Sequence, residues 1–483
     1  MAENDELNIF TDDLLNQLHD KAKNKVDYWD IRAGVSNGNT IEFSDEKSKE
    51  ITSYLLTGCS IRTFIDGGWG FNVLKKLSKK HLLDEFVKTI KMAKFSSSLC
   101  KFKYPIKERN ALTQNFKVNS KRNLEDVDLS EKIEMVKEHE SIASNYSKLI
   151  KNTRTIYLDS QVDLLFLDTF GSKVKQELEI LRLFSSVYAQ NKGIIQNGTN
   201  SVGGVGGFEV MNTEKALSLS KKSSEQAINL LNAKSPIGGS FSVILDSKLT
   251  GVFIHEALGH ACEADLVLNK ESILTEKIGE KIAIEDVSVV DDPRFGQGEK
   301  FNLPYELFGS YFIDEEGTPA QKTIIIKNGI LQSFIHSLET ASRMNVAPNG
   351  HGRANSNSSK PQVRMGFTYL EPKDWDLEEM IADTKNGILC EDFQYGYTDP
   401  TTGNFQFKCR ISTNIENGEK KENLRDVSFG GMTLDVLNKI SAIGNENTFN
   451  YSDGICGKGG QGIRVCDGGP YIRIDNLTVG GLN

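Results

Sequence analysis

The sequence is short of the residues that would mark several protein classes. Among its 483 residues only seven are cysteine, an odd number with no Cys-x-x-Cys pair, which excludes a disulfide framework and fits reduced thiols in a cytoplasmic protein. No stretch approaches 18 consecutive apolar residues, so no membrane span is expected. The N-terminus, Met1-Ala2-Glu3-Asn4-Asp5, lacks the basic and apolar regions of a secretory signal. No Lys/Arg-rich stripe or tail offsets the formal charge of −9, which argues against a nucleic-acid partner. Internal repeats and low-complexity tails are missing as well. Histidine is also scarce, at seven residues, so two of them close together stand out.

What remains is an ordinary globular composition, 38% apolar and 25% charged, with a pI near 5.5. The length allows two or three domains with substantial cores. A helix is expected around Phe10 to Asn24, then a hairpin with Tyr28 to Val35 and Thr40 to Phe43 as strands about an Asn37-Gly38 type I′ turn. A strand from Ser60 to Ile65 and a helix from Lys79 to Ser96 complete a first α+β domain, residues 1–110. Polar, lysine-rich Pro105 to Lys121 reads as a linker. A central α+β domain, 111–235, would hold a helix around Leu129 to Leu149 and strands at Thr155 to Leu158, Val162 to Phe170 and Ser172 to Ala189. The run Gly203-Gly204-Val205-Gly206-Gly207 lacks the Walker lysine and the dinucleotide spacing, so it reads as a turn or a close backbone approach. Thr213 or Asn212 caps a further helix, and Pro236 marks the next boundary.

Residues 236–483 read as strand-rich around one helix. Phe241 to Leu245 is a strand, Asp246 an N-cap, and Asn328-Gly329 and Asn417-Gly418 are hairpin turns. The fold class expected is α+β: an N-terminal sheet-and-helix region followed by a β-rich C-terminal domain.

The helix after Asp246 carries His255-Glu256-Ala-Leu-Gly259-His260. Two neutral imidazoles can hold zinc, and a neighbouring carboxylate can act as a base on water at the metal. In the familiar H-E-x-x-H helix the histidines stand at i and i+4. Here they stand at i and i+5, which on a regular helix turns the second about 140° from the first. The helix must be distorted, and a π-bulge is the expected form. A hydrogen-bonded core cluster is the alternative reading of the same residues. A third ligand has to come from outside this stretch; His336, His351, Cys262, Cys456, Cys466, Glu263 and Asp265 are the candidates, and spacing does not choose among them. Lys458, close to Cys456, would help hold that thiol as thiolate.

The setting Gly-Val-x-x-His255-Glu256-Ala-x-Gly-His260 resembles the signature of the TldD/PmbA family of metalloproteases, on its catalytic TldD-like side. Gly350-His351-Gly352-Arg353 with Arg364-Met365, Leu377 to Ile381, Gly454-x-Cys456-Gly457-Lys458-x-Gly-Gln461 and the terminal Asp475 to Gly481 match the family in the same order, across nearly the whole C-terminal half. The resemblance implies a zinc metalloprotease domain at 236–483, with His255, His260 and Cys456 as Zn²⁺ ligands and Glu256 activating the zinc-bound water. It implies small peptides or unfolded proteins as substrates, and a homodimer or a heterodimer with an inactive paralogue. Glu263 and Asp265 are candidates to orient the imidazoles; His351 and Arg353 would bind substrate or brace a loop. A non-catalytic peptide-binding scaffold with a structural metal, or a small-molecule amidase, are the competing functions.

Overall fold

The computed structural model describes residues 5–294 and 303–480. Residues 1–4 of the acidic N-terminus and Gly481 of the terminal motif lie outside the described residues.

Helix α1 (Asp12–Ala22) starts at Thr11, whose side chain accepts the Leu14 N–H, and buries Leu14 and Leu18. Strands β1 (Tyr28–Ser44), β2 (Lys47–Ile65) and β3 (Gly68–Leu74) follow, covered by α2 (Lys79–Leu99). Next come β4 (Thr113–Lys117), α3 (Leu129–Asn145), β5 (Ile150–Asp168), β6 (Lys173–Asn191), β7 (Ile194–Val205), and the short helices α4 (Glu214–Leu217) and α5 (Leu219–Leu230). All seven strands belong to one sheet, in the order β7-β6-β5-β1-β2-β3 with β4 parallel to β6.

Four expectations are corrected here. The chain does not turn at Asn37-Gly38: β1 runs straight through, with Asn37 opposite Leu55 and Gly38 opposite Tyr54, and it turns instead at Asp45-Glu46, both at positive φ. Gly38 is needed for a close approach, since a Cβ there would lie 2.0 Å from the Asp159 carbonyl. Thr155 to Leu158 and Val162 to Phe170 are parts of one strand, because Asp159 between them is satisfied inside the sheet by Lys132, Tyr157 and Asn39. The supposed linker contributes β4. A boundary at residue 110 therefore cuts a single sheet, for β1 pairs with β5 along 15 residue pairs.

The C-terminal half holds β8 (Gly239–Leu245), α6 (Ser247–Phe253), α7 (Ala264–Leu268) and two further large sheets. One joins β9 (Val289–Asp291), β11 (Thr323–Lys327), β12 (Ile330–Leu331), β15 (Phe367–Leu370), β21 (Asn450–Lys458) and β22 (Gln461–Gly469) in the order β12-β11-β9-β15-β22-β21. The other joins β8 to β16 (Asn386–Asp399), β17 (Asn404–Glu416), β18 (Glu419–Leu424), β19 (Ser428–Met432), β20 (Ile440–Ile443) and β23 (Ile472–Gly480). Because β17 pairs with β16 as well as β19, five of these strands close into a ring. The remaining pieces are β10 (Glu306–Leu307), which pairs with β7 and ties the halves together, and the β13 (Gly352–Arg353) to β14 (Gln362–Val363) pair. The Asn328-Gly329 and Asn417-Gly418 hairpins form as expected.

Helix α6 occupies the centre of this arrangement. Asp246 caps it by accepting the Leu249 N–H at 2.8 Å, and Leu249, Phe253, Ile254 and Leu258 are fully buried against Val243, Met365 and Phe405. Burying each such side chain stabilises the fold by about 1.5–3 kcal/mol. The residues that follow are thus held by a core on both sides. Among the described residues no helix is long and apolar enough to cross a membrane.

Candidate metal centre

After Phe253 the helix widens. Residues Ile254–Gly259 form a π turn and His260–Cys262 a 3₁₀ turn, and the His260 N–H bonds to the His255 carbonyl. That i+5 hydrogen bond joins the two histidines themselves, so the extra residue is absorbed between them and both rings come to one face. Their centroids are 5.2 Å apart with planes at 88°. Gly259 is required in this turn, because a Cβ there would stand 2.2 Å from the Met365 sulfur.

The third side chain arrives from 196 residues away. Strand β21 brings Cys456 Sγ to 3.3 Å from His260 Nε2 and within 4.8 Å of a ring nitrogen of His255. One donor atom from each of His255, His260 and Cys456 lies within 4.8 Å of the others, and no other such His/Cys/Asp/Glu group occurs among the described residues. Burial pushes the Cys456 thiol up, but the two imidazoles together outweigh it and hold it at about 5. His255 shows the reciprocal effect: burial disfavours its charge, yet Cys456 lifts it to about 9.

A second layer of charge fixes these groups. Glu263, fully buried, accepts from His260 Nδ1 at 3.0 Å and from Lys458 Nζ at 3.1 Å, with Arg364 Nε 3.9 Å from its other oxygen. Burial opposes its ionisation, but His260 and Lys458 hold its carboxyl below the usual range. Lys458 continues to Asp265 at 2.7 Å and to the Val363 carbonyl at 3.2 Å. Its work is therefore to bridge two carboxylates, whereas the expectation from the sequence had it acting on the thiol. Arg364 donates to the Cys456 carbonyl, clamping the strand that carries the sulfur. The local sequence gave no sign of that clamp.

The other candidates are elsewhere. His351 is fully buried, with Nδ1 on Asn349 and Nε2 on Asp291, each at 3.0 Å. Arg353 donates to the Met365 and Arg464 carbonyls and stacks over Tyr311. Both brace loops, and neither is among the residues that line the cleft beside the three donors. His336 is buried against Thr340, its pKa depressed by burial to about 4. Cys466 is buried too, pushed up to about 12 by burial, its sulfur accepting the Gly309 N–H at 3.2 Å. The glycine run proves to be close packing: a Cβ on Gly203 or Gly204 would lie under 3 Å from the Phe308 or Tyr305 ring.

Glu256 adjoins the three donors, its Oε2 3.6 Å from His260 Nε2 and about a third of its side chain exposed. It opens onto a cleft of about 610 Å³ lined from both halves of the chain, by β6, β7 and α5 on one side and α6, β21 and β22 on the other. The donor set suits zinc, two imidazoles and a thiolate being ordinary zinc ligands. His255 Nδ1 is buried without a hydrogen-bond partner, a costly state that coordination through that nitrogen would relieve.

Comparison with known proteins agrees with that geometry. Residues 238–481 match the PmbA/TldA metallopeptidase C-terminal domain and residues 122–231 the PmbA/TldA metallopeptidase central domain. The chain belongs to the TldD/PmbA family. A metalloprotease of Methanothermobacter thermautotrophicus is 38% identical over 98% of this chain and 100% of its own length. A zinc metalloprotease TldD homolog of Saccharolobus solfataricus is 33% identical over 57% of this chain and 58% of its own. The crystal structure of TldE from Thermococcus kodakarensis superposes with a TM-score of 0.72 over 97% of this chain and 100% of that one, at 17% identity, which establishes the shared fold. This TldD/PmbA chain is thus a member of a metallopeptidase family whose relatives are named metalloproteases.

Proposed function

We propose that the chain is a zinc peptidase, with His255, His260 and Cys456 as ligands, acting on short peptides or unfolded proteins. The observation that carries this reading is the convergence of the three donors, one from a distant strand, beside a carboxylate that faces a cleft. Zinc held there supplies a Lewis acid for the scissile carbonyl and lowers the pKa of water. Glu256 takes the proton from the attacking water and returns it to the leaving amine. Glu263 keeps His260 Nδ1 protonated, so that Nε2 is the nitrogen turned toward the ligand cluster. The thiolate donates more charge than a third imidazole would, which makes for a milder Lewis acid and modest turnover.

Among the described residues strand β21 ends its sheet, pairing only with β22, and it lines the cleft. An extended peptide can add to such an edge through main-chain hydrogen bonds with little demand on sequence. The protein works in the cytoplasm as a dimer, with a second copy or with a paralogue lacking the histidine motif. The test is zinc content and cleavage of unfolded casein by the wild type, Glu256→Gln and Cys456→Ala. Glu256→Gln should retain zinc and lose cleavage, and Cys456→Ala should lose zinc. Zinc-loaded wild type that cuts nothing, alone or with a paralogue, refutes the reading.

A further inference from the structure

The overall charge is −9, yet the cleft runs the other way. Its walls carry five cations against four carboxylates, of which Glu256 and Asp467 lie beside His255 while Asp453 and Asp392 stand among the cations. Asp453, buried on β21, is shared by Arg182 Nε at 3.2 Å and Lys215 Nζ at 3.4 Å. Asp392 on β16 is shared by Lys248 at 3.1 Å and Arg410 at 3.2 Å. Each acid therefore neutralises one of its two cations. The fifth cation, Lys222, is exposed and has no acidic partner among the described residues.

These groups converge. Lys222 lies one turn from Gln226 on α5, and Gln226 donates to Asp392 at 3.1 Å. Lys248 also feels Asp453 across the cleft, and although burial works against its charge, Asp392 and Asp246 hold it above the usual lysine range. Lys248 precedes His255 by seven residues on one helix face, about 10 Å at the rise of a helix. Asp453 precedes Cys456 by three residues of strand, again about 10 Å. An extended chain covers that distance in about three residues.

We infer that this end of the cleft is a carboxylate subsite, formed by Arg182, Lys215, Lys222, Lys248 and Arg410, which selects peptides bearing a carboxylate about three residues from the bond cut. The inference rests on the peptidase reading and names its substrate class. The carboxylate is either an Asp/Glu side chain or a free C-terminus.

The experiment uses full-length zinc-loaded Glu256→Gln, which binds peptide without cutting it, and fluorescent peptides of one backbone in three forms: glutamate with an amidated C-terminus, glutamine with a free C-terminus, and glutamine with an amidated C-terminus. Anisotropy should show one or both carboxylate forms binding about five- to tenfold more tightly than the neutral one. The advantage should collapse between roughly 0.05 M and roughly 0.5 M salt. It should also collapse in the Lys222→Glu and Lys248→Met backgrounds, the first being a surface change that leaves the core alone. Affinities within twofold across the three peptides, or an advantage that survives both substitutions, overturn the subsite. The parent reading fails separately: if wild type cleaves none of the peptides while the carboxylate forms still bind selectively, the subsite stands without the hydrolase.

Discussion

Glu263→Gln tests whether the centre depends on the charge behind it. The side chain is fully buried, and its neighbours are all cationic or proton-donating: His260 at 3.0 Å, Lys458 at 3.1 Å and Arg364 at 3.9 Å. Glutamine keeps the volume and one acceptor but removes the negative charge. Because His260 and Lys458 share one oxygen, the amide oxygen keeps both, and the NH₂ is turned toward Arg364, which loses its acid. Loss of a hydrogen-bonded partner behind a metal-bound imidazole typically weakens metal binding about 10- to 100-fold, or about 1.4–2.7 kcal/mol. Arg364 and Lys458 each retain other acceptors, the Cys456 carbonyl and Asp265, so the fold should persist and the loss should fall on the metal. The assay is competition for zinc against a fluorescent chelator, with circular dichroism as the folding control. Asp265→Asn, which touches the centre only through Lys458, should weaken zinc by less than about threefold. If Glu263→Gln binds zinc within twofold of wild type while remaining folded, the acid does not orient His260 and the reasoning fails.

Further outcomes follow from the same geometry. In zinc-free protein at neutral pH, Cys456 is held as a thiolate at about 5 while Cys466 sits at about 12, so iodoacetamide should label the first and spare the second. Labelling of Cys456 should fade as pH falls through about 5, where the thiolate takes up its proton, and zinc should protect it; peptide mass spectrometry reads all three. Gly259→Ala should lower stability by about 1–3 kcal/mol through the clash with Met365, and Met365→Ala in the same chain should recover part of the loss in a melting experiment. Leu258→Ala, at a fully buried position of the π turn, should cost about 2–5 kcal/mol by denaturant titration and reduce zinc binding along with it.

Local signals carried far in this chain, and their limits are physical. Caps and Asn-Gly turns at Asp246, Thr213, Asn328 and Asn417 were legible because each depends on neighbours within a few residues. The i+5 spacing of His255 and His260 required a distorted helix for the same reason. Asn37-Gly38 misled because a glycine that permits a turn also permits a bare strand to admit the Asp159 carbonyl, and only the partner strand, whose Asp159 stands 120 residues after Asn39, decides between them. For His351 and Arg353 the sequence left substrate binding and loop bracing open, since only Asp291 and the Met365 carbonyl, distant in sequence, show where their hydrogen bonds go. Lys458 was found in sequence but given the thiol as its object, since Glu263 and Asp265 lie nearly 200 residues away.

The same reasoning explains why the centre sits where it does. The π turn after helix α6 and the 3₁₀ turn that follows it supply two donors and the base from one short stretch. The sulfur must cross from another sheet, and its position is set by Arg364 on the strand's carbonyl and Lys458 on the acids beside the helix. Those two cations tie β21 to the acids beside the helix through side chains of the chain itself. These contacts preorganise the site, and β21, which carries the sulfur and among the described residues pairs only with β22, also lines the cleft. A peptide pairing with that edge would be registered against Cys456 by backbone geometry alone. Side-chain preference must then come from the walls, which is where the excess of cations lies.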